Sequence, residues 1–264
     1  MINPHTYVNP NAKLADNVKV DPFTVIHGDV EIGEGTYIGS NVTIMDGARI
    51  GKNCKIFPGA VISAIPQDLK FDGEKTIVEI GDNTTLREFV TINRGTADRW
   101  KTKVGKNCLI MAYCHVAHDC IIGDNCIMSN NCQMAGHVVM DDWSIVAGMS
   151  AIQQFTHIGK HAYIAGGSMV NKDVPPYVKA VRTPLTYGGV NSVGLKRRGY
   201  STEKINGIMD MYRIIFNHNL NVSQALEYIE QEIKASDERD EIISFIRQSE
   251  VGIIKKSSAV TSPD

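Results

Sequence analysis

Residues 104–128 read VGKNCLIMAYCHVAHDCIIGDNCIM, and the spacing inside that stretch decides the fold. An aliphatic side chain returns every sixth position, at Val104, Ile110, Val116, Ile122 and Met128, and a cysteine stands two places before each of the last four. Neither the 3.6-residue period of an α-helix nor the alternation of a long strand describes this pattern. The same phase runs outward through Val8, Leu14, Val20, Ile26, Ile32, Ile38, Ile44, Ile50, Ile56 and Ile62, resumes at Ile80, Leu86 and Ile92, and continues from Val104 to Val170. A fixed repeat of this kind marks units that bury their apolar faces only against their neighbours in a stack. Short strands joined by tight turns satisfy it.

The pattern resembles the hexapeptide-repeat β-helices, in which three hexads close one triangular coil. That resemblance implies a mainly β chain with an α-helical C-terminus, a left-handed parallel β-helix of about eight coils, with strands about 4.8 Å apart in three sheets. A small or β-branched residue recurs four places after each aliphatic, as at Val18, Thr24, Val30, Thr36, Val42, Ala48 and Ala60. Cys54, Cys108, Cys114, Cys120, Cys126 and Cys132 all hold that position, which predicts one stacked column of compact thiols rather than a metal or redox site. Gly33, Gly39, Gly51, Gly81, Gly105, Gly123 and Gly159 follow the aliphatic, where they are expected to supply a turn with positive φ.

Two segments break the period and return in phase, 63–79 and 93–103, so they read as loops thrown out from a continuing coil. The hexads stop at Asp173-Val174-Pro175-Pro176, since proline cannot donate to a ladder. The expected division is a β-helix over 1–181 and a helical domain over 182–264. Ile205, Ile208, Met209, Tyr212, Ile215 and Phe216 follow a helical rhythm. Asn221 with Gln224 resembles a capping box for a helix from Ala225 to Ile233, and Ser236-Asp237 begins a last one to about Ile246. Lys255 to Asp264 is expected to be disordered.

Charge is nearly balanced, 27 Lys and Arg against 29 Asp and Glu, which excludes the basic excess of a nucleic-acid binder. The start lacks a signal-peptide pattern and no stretch approaches the roughly 20 apolar residues of a membrane span, so a cytoplasmic protein with reduced thiols is expected.

Histidines gather in the third block, at His115, His118 and His137, with His157 and His161 beyond. One coil is 18 residues, so His118 should lie over Gly136 and Gly136 over Gln154, while Asp119 lies over His137. An imidazole, a carboxylate and a glycine N–H facing one groove are what acyl transfer to a hydroxyl requires. The imidazole takes the hydroxyl proton. The N–H stabilises the oxyanion formed at the thioester carbonyl. Two other readings stand beside this one: solvated surface histidines, and a zinc site built from His115, His118 and His137 as in hydratases of another hexapeptide family.

The strings His115-Val-Ala-His118-Asp119-Cys120, Asn130-Asn131, Ala135-Gly136-His137, Gln154-Phe155, DVPPYV over 173–178, GLKRRG over 194–199 and Gln67-Asp68-Leu69-Lys70 together resemble the acyl carrier protein-dependent UDP-N-acetylglucosamine O-acyltransferases, the first enzymes of lipid A synthesis. The likeness runs to about residue 250. It implies that His118 is the general base on the glucosamine 3-hydroxyl, that Asp119 orients it and that the Gly136 N–H meets the oxyanion. His115 and His137 would line the nucleotide-sugar site. Gln67, Asp68 and Lys70 would meet substrate across a subunit boundary, Gln154 and Asn191 would contact it, and Arg197 and Arg198 would meet phosphates through the guanidinium fork. Lys196, Arg197 and Arg198 would also steer the acidic acyl carrier protein. Gly166 stands where relatives measure acyl length, and a glycine there leaves the groove open for a long 3-hydroxyacyl chain, about 14 carbons or more.

Three positions depart from many relatives: Gln153 and Asn93 where histidines are common, and Val193 in place of a glutamate. The resemblance further implies a homotrimer, with acyl carrier protein and UDP-N-acetylglucosamine as partners and no metal or organic cofactor. Its rivals are an N-acyltransferase acting on an acylated UDP-glucosamine and a carrier-binding scaffold without activity.

Overall fold

A computed structural model describes residues 2–217 and 220–256. Twenty-five short strands, from Tyr7–Val8 to Met169–Val170, wind through a left-handed parallel β-helix, one strand for each hexad. Successive strands visit three sheets in turn. The first holds nine strands and ends at Met169–Val170. The second holds eight and ends at His157–Ile158. The third reaches eleven, because Val178–Val181, Thr186–Val190 and Lys255–Lys256 extend it beyond Tyr163–Ile164.

Each hexad sends two side chains inward, the aliphatic and the small residue two places before it. Ile110 with Cys108, Val116 with Cys114 and Ile122 with Cys120 are all buried. The small residue also closes the corner. Cys120 Sγ donates to the Ala135 carbonyl at 3.1 Å and Thr24 Oγ1 to the Gly39 carbonyl at 2.8 Å, which is why cysteine and threonine share this position. The cysteines therefore do not form the single column expected of them. Consecutive hexads occupy the three corners in turn, so the strand register stacks Cys108 on Cys126 and Cys114 on Cys132 only. All six are free and buried, and burial pushes the Cys120 thiol up to about 12.

The left-handed turn residue is three places before the aliphatic, not one place after it. Asn41, Asn53, Asn107, Asn125 and Asn131 sit there with φ between 54° and 61°, a conformation that asparagine tolerates. None of the seven glycines expected to supply positive φ has it. They answer to close approach instead: a Cβ on Gly105 would lie 2.4 Å from the Gly123 carbonyl oxygen and 2.5 Å from Asp124 Oδ1.

Coils repeat every 18 residues in most of the stack, as Leu109 pairs with Ile127. Across the first excursion the spacing becomes 30, Ile50 pairing with Ile80, and across the second 24, Ile80 pairing with Val104. Strands Val61–Ala64, Ile77–Ile80, Thr91–Asn93 and Lys101–Val104 run into the ends of both excursions, leaving 65–76 and 94–100 off the ladder. Both loops depart at the edge between the first and second sheets.

The ladder of the third sheet continues through Val178–Val181, which pairs in parallel with Tyr163–Ile164 before the chain reverses into Thr186–Val190. Four helices follow: α1 (Ser192–Arg197), α2 (Thr202–Asn217), α3 (Val222–Glu232) and α4 (Asp237–Gln248). Asn221 and Gln224 form the capping box ahead of α3, and Ser236 caps α4. Tyr212 of α2 donates to the Pro176 carbonyl at 2.6 Å, and Leu195, Ile208, Ile229 and Ile242 share one core with Val174 and Val178. Two features went unforeseen, the reversing strand and α1. A correction concerns Lys255 and Lys256, expected to be disordered: they pair with Thr186 and Tyr187 as a strand. The rest of that tail, 257–264, lies outside the described residues.

The glycine argument is testable by chemical denaturation. Gly105→Ala should destabilise by about 1–3 kcal/mol, because the added carbon overpacks a backbone contact. Gly207→Ala, mid-helix in α2 with nothing within 4 Å of its Cβ, should instead stabilise by about 0.5–1 kcal/mol.

Candidate active site

His118 and Asp119 lie on the turn after strand His115–Val116, at the edge between the first and second sheets, and Gly136 and His137 repeat those positions one coil on. The register places the imidazole directly against the glycine. A Cβ at residue 136 would lie 2.7 Å from His118 Cε1 and 2.8 Å from Nε2, so only glycine fits. The Gly136 N–H meets no acceptor among the described residues.

Asp119 is fully buried, at φ 60°. Its Oδ2 lies 2.9 Å from His118 Nδ1 and accepts from Thr96 Oγ1 at 2.6 Å. Its Oδ1 accepts from the N–H groups of Thr96 and Arg99 at 3.0 and 3.2 Å. Burial pushes this carboxyl up, but the hydrogen bonds from Thr96 and His118 and the nearby His137 outweigh it and hold it below its ordinary value. An ionised Asp119 can only accept, so His118 Nδ1 carries the proton and Nε2, beside Gly136, is left as the basic atom.

His137 packs edge-on to His118 at 5.1 Å and stacks on Phe155 at 4.7 Å. Asp98 Oδ2 comes within 3.1 Å of His137 Nδ1, yet out of line for a hydrogen bond, so that buried nitrogen has no hydrogen-bond partner. Beside it a cleft of about 410 Å³ is lined by Asp68, Lys70, Asp98, His137, Gln154 and Phe155, among others. Gln67 is exposed outside that lining. His115 Nδ1 lies 2.7 Å from Thr91 Oγ1, and burial with the neighbouring His118 lowers its pKa.

The zinc set of His115, His118 and His137 is not what the fold gathers. Among the described residues, the three potential ligands within 4.8 Å of one another are His118, Asp119 and His137. Four donors occupy the lone-pair sites of Asp119, so the carboxylate serves as an anchor rather than a ligand.

Of the remaining expected residues, Gly166, Asn191 and Arg198 lie at other edges. Gly166 is at the corner from the third sheet to the first, where a Cβ would meet the Gly148 carbonyl oxygen at 3.1 Å. Asn191 caps α1, accepting from the Gly194 N–H, and donates to the His161 carbonyl at 3.0 Å. Arg198 lies over Trp143 and places Nη1 3.2 Å from His161 Nδ1, at the corner from the second sheet to the third. Arg197 is exposed. The sequence reading missed Thr96, Asp98 and Arg99, because no repeat places a loop residue; only their position in an excursion signalled them.

Hexapeptide-transferase family models (six repeats) match 11–45, 29–64 and 101–136, and the second-domain model of UDP-N-acetylglucosamine O-acyltransferases matches 173–254. An acyl-(acyl-carrier-protein)–UDP-N-acetylglucosamine O-acyltransferase of Myxococcus xanthus is 48% identical over 195 residues, 74% of this chain and 76% of its own. One from Thiobacillus denitrificans is 40% identical over 255 residues, 96% and 99%. The chain belongs to the UDP-N-acetylglucosamine O-acyltransferase family. The solved UDP-N-acetylglucosamine acyltransferase of Bacteroides fragilis superimposes with a TM-score of 0.95 at 48% identity, covering 97% of this chain and all of that one. Membership makes the chain an acyltransferase.

His161 offers a test of how this family member holds its second edge. Burial, then the charges of Arg198 and Lys160, bring its pKa down to about 4 from an ordinary 6.5. The unfolded chain therefore binds the proton first as pH falls, and stability should be lost between pH 6.5 and 4, by about 3 kcal/mol at most. Denaturant unfolding across that window should show a shallower acid loss for His161→Gln than for the parent.

Proposed function

We propose that the chain transfers a long 3-hydroxyacyl group from acyl carrier protein to the 3-hydroxyl of UDP-N-acetylglucosamine, the first step of lipid A biosynthesis. The observation that carries this is His118 Nε2 packed against Gly136 while Asp119 holds Nδ1. Nε2 takes the proton of the sugar hydroxyl as its oxygen attacks the thioester carbonyl. The Gly136 N–H receives the negative charge on the carbonyl oxygen. Collapse breaks the carbon–sulfur bond, and the imidazolium returns its proton to the departing phosphopantetheine thiolate, which leaves as a thiol. Protons and electrons balance within the two substrates, so the step calls for neither metal nor organic cofactor.

His137, Gln154, Asp68 and Lys70 are the cleft residues available to the sugar nucleotide. Gly166, Asn191 and Arg198 stand on the other two edges of the same prism, and that dispersal supports a homotrimer in which neighbouring copies bring different edges together. The six free thiols suit the reducing cytoplasm, and no described helix is long and apolar enough to cross a membrane.

Turnover by His118→Ala should fall by about 10²–10⁴-fold, with the circular dichroism spectrum unchanged. Mass spectrometry of the product from UDP-N-acetylglucosamine and mixed acyl carrier protein thioesters should show an ester. An amide would assign the chain to the N-acyltransferases instead. Gly166→Met should move the preferred donor to a shorter acyl chain, and an unchanged preference would remove Gly166 from the acyl groove.

A further inference from the structure

We infer that Thr96, in the second excursion, is a positioning residue for the His118–Asp119 pair, and that through Asp119 it fixes which nitrogen of His118 is basic. The inference rests on His118 being the base, as proposed above.

The geometry is specific to this turn. Asp119 occupies the left-handed corner position, where other coils carry Asn107, Asn125 and Asn131 with the same φ range. A carboxylate buried there without donors would be held neutral by its desolvation. Thr96 supplies two donors, Oγ1 to Oδ2 at 2.6 Å and N–H to Oδ1 at 3.0 Å, so it binds both oxygens and fixes the plane of the carboxylate. Thr96 is itself buried, and the backbone around it is tied down: Gly95 N–H donates to the Ile77 carbonyl and Trp100 N–H to the Thr96 carbonyl. Arg99 closes the other side, its N–H on Oδ1 and its Nη1 on the Asp119 carbonyl at 2.9 Å. Thr102 Oγ1 accepts the Asp119 N–H at 2.8 Å. His137 Nε2 stands 3.7 Å from Oδ2, beyond hydrogen-bond distance, and the direction left on that oxygen is taken by His118 Nδ1 at 2.9 Å.

Removing the Thr96 hydroxyl takes a hydrogen bond from the charged form of Asp119. The proton affinity of the coupled pair then rises, and the acid limb of the rate profile moves to higher pH. The carboxylate also gains freedom to turn, so the Nδ1–H tautomer of His118 loses its selection.

Thr96→Val should lower kcat by about 10- to 100-fold, the size of effect that follows loss of an outer hydrogen-bond partner behind a functional side chain. The KM for UDP-N-acetylglucosamine should stay within about twofold, because Thr96 acts through Asp119 rather than on the substrate. Thr96→Ser should restore the parent kcat and acid limb. In the full-length parent protein, imidazole ¹⁵N shifts should show His118 protonated at Nδ1, and this measurement stands even if Thr96→Val does not fold. An unshifted acid limb with parental kcat in Thr96→Val overturns the inference, as does an Nε2–H tautomer in the parent. If His118→Ala retains activity, the base assignment itself has failed; if His118→Ala is dead and Thr96→Val is unaffected, only the role of Thr96 has.

Discussion

The hydrogen-bonded ladder from each coil to the next is the constraint on which the rest depends. His115 N–H donates to the Cys132 carbonyl at 3.0 Å and Ala117 N–H to the Met134 carbonyl at 3.1 Å, while the left-handed His137 reaches back to the His118 carbonyl at 3.1 Å. These bonds cross the corner from both directions and leave the two turns no freedom to slide. A slip of one residue would turn every inward aliphatic outward. The register that protects the core therefore also presses the His118 imidazole onto Gly136. No packing specific to the site is needed to bring them together, only residue identities written onto turns that would stack in any case.

Such a scaffold is cheap to specify along an edge and poor at surrounding a point. The turns contribute columns of side chains, all facing the same way, and a buried carboxylate in a column has donors on few sides. The second excursion solves that problem for Asp119. It leaves the ladder at the same edge, folds over the turn and delivers the Thr96 and Arg99 donors from a direction no coil can reach. The first excursion brings Asp68 and Lys70 to the cleft at the same edge. Both insertions preserve phase because only the connections lengthen, and the sheets read the chain as if nothing had been added.

What was legible in the sequence follows from this division. The coils, the phase of the excursions, the stacking of His118 on Gly136 and the caps at Asn221 and Ser236 are consequences of local period and local chemistry. The glycines that follow the aliphatics were visible, but the reason for them was not, since a neighbouring backbone 2.4–3.1 Å from where a Cβ would stand exists only between coils. The cysteine pairs Cys108–Cys126 and Cys114–Cys132 likewise needed the 18-residue coil applied to the small positions as well as to the histidines. The pairing of Lys255–Lys256 with Thr186–Tyr187, and the hold of Thr96 on Asp119, join segments that no repeat relates. Long-range contacts of that kind carry no periodic signature.

The distribution of the remaining candidates over the edges bears on the proposed trimer. Arg198 cannot swing toward the His118 of its own chain, because it is stacked on Trp143 and bonded to His161, with Tyr200 on the opposite ring nitrogen at 3.2 Å. A neutral His161 is what makes that arrangement stable. Its Nδ1 must accept from the guanidinium, and protonation would set two cations face to face, which is why burial and Arg198 both lower its pKa. The guanidinium is thus presented in a fixed plane on the second-to-third edge, with N–H groups left over for an anion. In the proposed trimer, assembly of copies rather than any motion within one would bring the edge of Arg198 toward an edge that carries His118, Gly136 and the cleft of Asp68, Lys70, His137 and Gln154.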